Sequence, residues 1–278
     1  MKAALAGAVV IATLQPNFSA RREVVRVDVL VTEKGQPTKG LGAEDFEILD
    51  NGVAQRVDLV SFEQIPLNVV LAFDTSGSVS GERLDHLRAA GESVLGGLTR
   101  NDQAALITFS HIVALHAPLT ADLRKVRGAL NFAPSGGDTA LVDGVYTSMM
   151  VGESDAGRSL IIVFSDGLDT ASWLSADAVL DTAKRSDVVV YGVAIGRRVR
   201  FLRDLSAFTG GTVFDVDSTR NLSAAFDRIL QEFRHRYLVS YSPEGVANSG
   251  WHRLEVRVRN RSVAIKARPG YLRAEAAR

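Results

Sequence analysis

The sequence predicts an α/β protein in which a doubly wound, mostly parallel sheet is inserted into a small antiparallel β-sandwich-like domain. Three observations predict it. Residues Leu67 to Phe73 are apolar at every position but Asn68, as expected of a strand buried on both faces, and then give way abruptly to Asp74-Thr75-Ser76-Gly77-Ser78. From there to about residue 235, apolar runs alternate with segments of helical period, the pattern of parallel strands joined by crossover helices. On both sides of that block the pattern is simple alternation: Val25, Val27, Val29 and Val31 before it, then Tyr237, Val239 and Tyr241, Leu254, Val256 and Val258, and Val263, Ile265 and Ala267 after it.

Taken in order, the first twenty residues read as an export signal. Lys2 supplies a positive start, Ala3 to Leu14 is an apolar run, and small residues precede a cleavage point after Ala20. The run is too short for a membrane-spanning helix, which needs about 20 residues, and no other segment could span a bilayer. The mature protein is therefore expected to be periplasmic or secreted. Glu44 to Leu49, the turn Asp50-Asn51-Gly52 and Gln55 to Phe62 read as a hairpin. Short strands at residues 21–65 cannot stand alone, so they are paired with residues 236–278 as one discontinuous β domain around an α/β domain at 66–235. Within the latter, the strand from Leu67 leads to a helix with a stripe at 84, 87, 91, 94, 95 and 98. Strands at Ala104 to Phe109 and His111 to His116 precede a helix at Ala121 to Leu130. A helix to about Val151 follows Thr139, then come the strand Ser159 to Phe164, a helix at Ser175 to Arg185 and the strand Asp187 to Ile195. A short helix, the strand Thr212 to Phe214 and a helix with apolar residues at 222, 225, 226, 229, 230 and 233 close the block.

The 278 residues include no cysteine, which excludes disulfides, thiolate metal sites and a cysteine nucleophile. Lysine plus arginine balance aspartate plus glutamate at 32 each, yet residues 234–278 hold ten basic against three acidic side chains. Their arginines alternate with apolar residues, which predicts a solvated strand face and not a nucleic-acid surface.

Three loops at the carboxyl ends of the predicted parallel strands carry hard oxygen donors. They are Asp74, Ser76 and Ser78; Thr139, behind Gly136-Gly137; and Asp166, after a buried strand. Doubly wound sheets place ligands at such ends. One such loop also reads as a turn capping its helix; three together point to one shared site for a hard cation, Mg²⁺ or Mn²⁺. Gly77, Gly136 and Gly137 would let the backbones approach closely. Asp138 and Asp169 stand beside the set, as accessories or, more commonly, as helix caps.

This set resembles the metal-ion-dependent adhesion site of the von Willebrand factor type A domain, Asp-x-Ser-x-Ser followed by Thr and then Asp. All five positions match, and the resemblance covers about residues 66–235. The flanks, with Gly40 to Phe46, Asn51-Gly52 and Arg268-Pro269-Gly270-Tyr271, resemble exported bacterial proteins of an acidobacterial type that carry this domain, as does Ser165 to Thr170. The resemblance implies a Rossmann-like fold in which Ser76, Ser78 and Thr139 hold the cation, Thr139 directly or only when a ligand is present. Asp74 and Asp166 would lie nearer the second layer, orienting hydroxyls and waters. It also implies a protein partner whose Asp or Glu completes the coordination.

Other features carry less. The five histidines (86, 111, 116, 235 and 252) show no metal-ligand spacing and no His-Glu-x-x-His. Asp74-Thr75-Ser76-Gly77 differs from the Asp-Thr-Gly of aspartic proteases by an inserted Ser and by the helix that follows. A metal-assisted hydrolase of phosphoesters or peptides is the enzyme alternative, but no Lys or Arg lies in the three loops to clamp a phosphate. No nucleotide-binding glycine motif is present. A scaffold whose metal serves folding alone is the third reading. Asp143 is expected to be solvated, Trp173 to pack against the sheet edge, and Trp251 to lie in the β-domain core. The sequence reading is an exported, non-enzymatic, metal-dependent protein-binding module.

Overall fold

A computed structural model describes residues 24–62, 65–153, 157–196 and 199–273. The expected export signal lies outside them. The chain opens with β1 (Val25–Glu33), β2 (Gln36–Pro37), β3 (Phe46–Asp50), β4 (Val53–Gln55) and β5 (Val57–Phe62). The central block follows as β6 (Leu67–Asp74), α1 (Glu82–Gly96), β7 (Gln103–Phe109), β8 (Val113–Thr120), α2 (Leu123–Phe132) and α3 (Leu141–Gly152). It continues through β9 (Arg158–Ser165), α4 (Ala176–Ala183), β10 (Val189–Ile195), α5 (Arg200–Thr209), β11 (Val213–Val216) and α6 (Leu222–Arg234). The chain closes with β12 (Arg236–Tyr241), β13 (Gly250–Val258), β14 (Ala264–Lys266) and β15 (Gly270–Arg273).

The central sheet has the order β11-β10-β9-β6-β7-β8, parallel except for β8, which runs antiparallel to β7. Every residue of β6 and β9 is buried, as a strand covered on both faces must be. Side chains alternate between two cores. Val69, Leu71 and Phe73 face α1, α2 and α6, while Val70 and Ala72 face α3, α4 and α5. The six residues of α6 that face the sheet are those its periodicity marked. Strand order reverses between β6 and β9, so their carboxyl ends form the switch point where an open sheet leaves a crevice.

The terminal segments form two antiparallel sheets around a third core. In one, β1 pairs with β12 (Val27 opposite Val239) and β12 with β5, with β14 on the far side of β1. In the other, β13 joins β3 (Val256 opposite Ile48) and β15. Val27, Val29, Phe46, Ile48, Tyr237, Val239 and Leu254 fill the space between. The hairpin at Asn51-Gly52 forms with β4 only. Chain 55–62 is not one strand, because beyond Gln55 it leaves the hairpin and β5 joins β12 in the opposite sheet.

The Arg268-Pro269-Gly270-Tyr271 stretch interlocks these layers. Arg268 is buried and donates to Asp187 and to the Lys184 carbonyl, while Tyr271 donates to buried Asp50, which also accepts from Tyr241 and His252. At Gly270 a Cβ would strike the His252 carbonyl and the Trp251 ring. The expected solvated arginine face forms at Arg253 and Arg257 of β13 and at Arg259 and Arg261 after it, all exposed. Arg268 departs from it, as does Arg236, which is fully buried and donates to Tyr191 and the Gly210 carbonyl. Arg158 at the start of β9 pairs with Asp28 of β1, so these guanidiniums tie the sandwich to the base of the parallel sheet. Trp251 is not core; it is 39% exposed, edge-on to Phe208.

The candidate metal centre

β6 ends at Asp74, and its apolar run ends with it, so the carboxylate sits at the boundary between core and loop. It is buried, and its position is defined by two donors: the Ser76 N–H to Oδ1 at 2.9 Å and the Ser165 hydroxyl to Oδ2 at 2.7 Å. Burial pushes the Asp74 carboxyl above its usual range, against the lowering effect of the Ser76 and Ser165 hydrogen bonds. The Ser76 and Ser78 hydroxyls lie 3.2 Å apart, and Ser78 donates to Asp166 Oδ1 at 2.7 Å. Ser76 is buried while Ser78 is exposed, so the row runs outward from the sheet to solvent.

The second loop is laced to the first. Gly136 N–H donates to the Thr75 carbonyl at 2.8 Å, and Gly77 N–H donates to the Gly137 carbonyl at 2.9 Å. Gly137 has φ of 81°, and a Cβ there would collide with the His111 ring. This close approach delivers Thr139, buried and facing Gly167 beside Asp166. The third loop folds back onto the second. Thr139 N–H donates to the Thr170 hydroxyl at 3.0 Å, and its carbonyl accepts from Thr170 and Ala171.

The structure thus brings Asp74, Ser76, Ser78 and Asp166 into one hydrogen-bonded set, with Thr139 alongside. Asp169 acts as a cap, accepting from Val142 N–H at the start of α3 and from Ser172, while Asp138 is exposed. Asp143 is not merely solvated: its two oxygens accept the N–H groups of Trp173 and Leu174, each at 2.9 Å. Trp173 does not pack against the sheet edge. It is 96% exposed on that loop, which with the His111–Val113 turn and α3 encloses a cleft of about 430 Å³.

Three residues of the site escaped sequence reading. Ser165 had a signal, lying next to Asp166 at a strand end. Asp143 had none beyond its charge. Arg83, in the first turn of α1, donates to Asp166 Oδ2 at 3.2 Å and to the Ser78 carbonyl at 3.3 Å. Its only signal is a cation at a helix N-terminus, where the backbone dipole disfavours it.

The donor set fits a small hard cation. Octahedral ligands about 2.1 Å from Mg²⁺ are about 3 Å from one another, close to the spacings from Ser76 to Ser78 and from Ser78 to Asp166. No group of three or more His, Cys, Asp or Glu side chains suited to a metal occurs among the described residues. A cation here would find the Ser76, Ser78 and Thr139 hydroxyls together with the Asp74 and Asp166 carboxylates.

A doubly wound sheet with hydroxyl and carboxylate oxygens gathered at its switch point defines a Rossmann-like domain. The chain belongs to the von Willebrand factor type A domain family, whose model matches residues 68–228. Human inter-alpha-trypsin inhibitor heavy chain H4 is 24% identical over 203 residues, 66% of this chain and 22% of that protein. The chain therefore spans about a fifth of that relative's length. Proximal thread matrix protein 1 of the mussel byssus, solved with a zinc-occupied metal-ion-dependent adhesion site, aligns with a TM-score of 0.57 at 15% identity, covering 65% of this chain and 48% of that one. A von Willebrand factor type A protein from Catenulispora acidiphila aligns with a TM-score of 0.57 at 13% identity, over 83% of this chain and 74% of that one. The corresponding domain of the pilus tip protein Mfa5 from Porphyromonas gingivalis aligns at 0.50 and 16% identity, over 60% and 94%. At these identities the structural likenesses establish the fold. Domains of this family typically serve adhesion and protein interaction, mostly without enzymatic activity. Among the described residues no helix is long and apolar enough to cross a membrane.

Proposed function

We propose that this chain is an exported binding module that grips a protein partner through Mg²⁺ or Mn²⁺ held by Ser76, Ser78 and Thr139. The observation that carries this reading is the convergence of the three loops, with the Ser76 and Ser78 oxygens at cation-ligand spacing, Asp166 bonded to Ser78, and Thr139 facing Gly167 beside it. Asp74 and Asp166 set the hydroxyls: Asp74 by accepting from the Ser76 backbone, Asp166 by accepting from Ser78. A bound divalent ion supplies positive charge and an open coordination position for an Asp or Glu of the partner. The exposed Ile112, Leu168 and Trp173 on neighbouring loops offer apolar contact around that carboxylate. The zinc-occupied site of the mussel protein supports a divalent occupant, and the surface roles of the pilus relatives support an extracytoplasmic setting. We read residues 21–65 and 236–278 as one β domain framing the binding domain at 66–235.

The test is Asp74→Asn, which keeps the side-chain shape. Mn²⁺ affinity, read by electron paramagnetic resonance of the free ion, should fall at least about tenfold because one carboxylate charge is lost. The melting temperature in chelator should shift by less than about 2 °C, about 1 kcal/mol or less for a chain this long. Capture of envelope proteins should require Mg²⁺ and disappear in the variant. Capture that survives both chelator and Asp74→Asn would end this reading.

A further inference from the structure

We propose that Arg83 is a tethered competitor of the divalent cation, an internal counterion for Asp166 that sets how tightly the site holds metal. The inference rests on the metal-site reading above and extends it to a residue outside the five-residue pattern.

Asp166 presents an unusual balance of burial and compensation. Its side chain is only 6% exposed, and a carboxylate so enclosed needs a compensating charge. Ser78 meets one oxygen, but a hydroxyl supplies a dipole only. The other oxygen faces Arg83, the one cationic side chain paired with Asp166 among the described residues. The arginine reaches it from an unfavourable start. Arg83 is the second residue of α1, where the unpaired backbone N–H groups already concentrate positive potential. An arginine there gains by pointing along solvent, yet its guanidinium turns back over the helix end to Asp166 and the Ser78 carbonyl.

The hold is also slight. A single nitrogen makes both contacts, at 3.2 and 3.3 Å, with none of the parallel two-nitrogen geometry that makes arginine pairs strong, and the side chain is 56% exposed. A half-exposed pair of this kind contributes little to stability. It is well suited to being displaced. Arg83 and a divalent ion are alternative partners of one carboxylate, and a positive charge beside a cation site lowers its affinity by direct repulsion. With Ser76, Ser78 and Thr139 all neutral, Asp74 and Asp166 are the negative charges of the set, and Arg83 offsets one of them.

The experiment compares wild type, Arg83→Gln, Arg83→Lys and, as a control, Arg88→Gln, all as the full chain with Mn²⁺ alone as probe. Arg88 lies on the same helix but contacts Asp85 and the Ala133 carbonyl. Free Mn²⁺ measured by electron paramagnetic resonance should show Arg83→Gln binding about three- to tenfold tighter than wild type, from the lost repulsion of one charge. Arg83→Lys should stay within about twofold of wild type, since it keeps the charge, and Arg88→Gln should not differ. The melting temperature of Arg83→Gln in chelator reports folding separately, and its rise on adding Mn²⁺ should exceed that of wild type. Equal or weaker Mn²⁺ binding by Arg83→Gln would overturn the proposal and make Arg83 a support for Asp166. If none of the four proteins bound Mn²⁺, the metal-site reading itself would fall, and with it this extension.

Discussion

Gly137 shows how much of the candidate centre depends on single positions. Its left-handed backbone and its contact with His111 let the second loop lie against the first, and the Gly77-to-Gly137 hydrogen bond depends on that approach. Gly137→Ala adds a Cβ where both the backbone angle and the ring object. Urea unfolding should show a loss of about 2 kcal/mol or more. Adding His111→Ala should recover the part due to collision and leave about 1 kcal/mol from the backbone angle. If the second change recovers nothing, the imidazole is not what confines the loop. Asp74 illustrates the opposite economy. It is placed by one backbone and one side-chain donor, and its burial is tolerated because both oxygens are met.

Among the secondary elements, the third loop depends on α3 more than on its own sequence. Asp143 in the first turn of α3 accepts two consecutive N–H groups from the loop, and Asp169 returns the contact by capping the same helix. The acidic charge also suits the positive end of the helix. The loop that presents Trp173 is therefore stapled to the helix that follows Thr139, which couples the rim of the face to its centre. Asp143→Ala should lower hydrogen-exchange protection of the Trp173 and Leu174 amides at least about tenfold, the loss of charged hydrogen bonds worth more than 1 kcal/mol. The amides of β6 and β9 should keep theirs. Unchanged exchange at Trp173 and Leu174 would show that the loop is held by other means.

Across the molecule, buried arginines hold the two units together, and an acidic hub braces the base of the parallel sheet. Arg158, Arg236 and Arg268 enter the junction between the parallel sheet and the sandwich. Asp102 sits nearby, accepting from Leu67 N–H at the start of β6, from Thr99, and from Arg234 at the end of α6. Burial works to raise the Asp102 carboxyl, but the hydrogen bonds from Arg234, Leu67 and Thr99 outweigh it and hold it below its ordinary value of 3.8. A depressed carboxyl stabilises the fold above its unfolded value, and that contribution is lost as pH falls through the folded one. At neutral pH, Asp102→Asn should cost about 2 kcal/mol. The gap from wild type in denaturant midpoint should shrink as pH drops from about 5 to about 3. A gap that stays constant over that interval would remove the ionised carboxylate from the account.

Several of these features were legible in the chain alone. Local pattern determined the parallel strands, the faces of α1 and α6, and the positions of Asp74, Ser76, Ser78 and Asp166 at loops after buried strands, whereas Thr139, expected at a strand end, lies on the connection between α2 and α3. Periodicity and abrupt polarity changes are properties of neighbouring residues, so a linear reading captures them. The family pattern then ordered the five residues into one set. Tertiary structure alone decided which side chains from distant segments meet. Arg83 reaches Asp166 across 83 residues of chain, and Arg158 meets Asp28 across 130. Arg253 and Arg257 are exposed as their alternation suggests, but Arg236 and Arg268 are covered, because alternation reports which face a residue takes, not what covers that face. Trp173 and Trp251 looked buried because their size favours burial, whereas Trp173 stands on a loop and Trp251 on the outer face of β13. Chain pattern thus determined the candidate donors, and packing determined their neighbours, because contact energies depend on distance in space and not on separation in sequence.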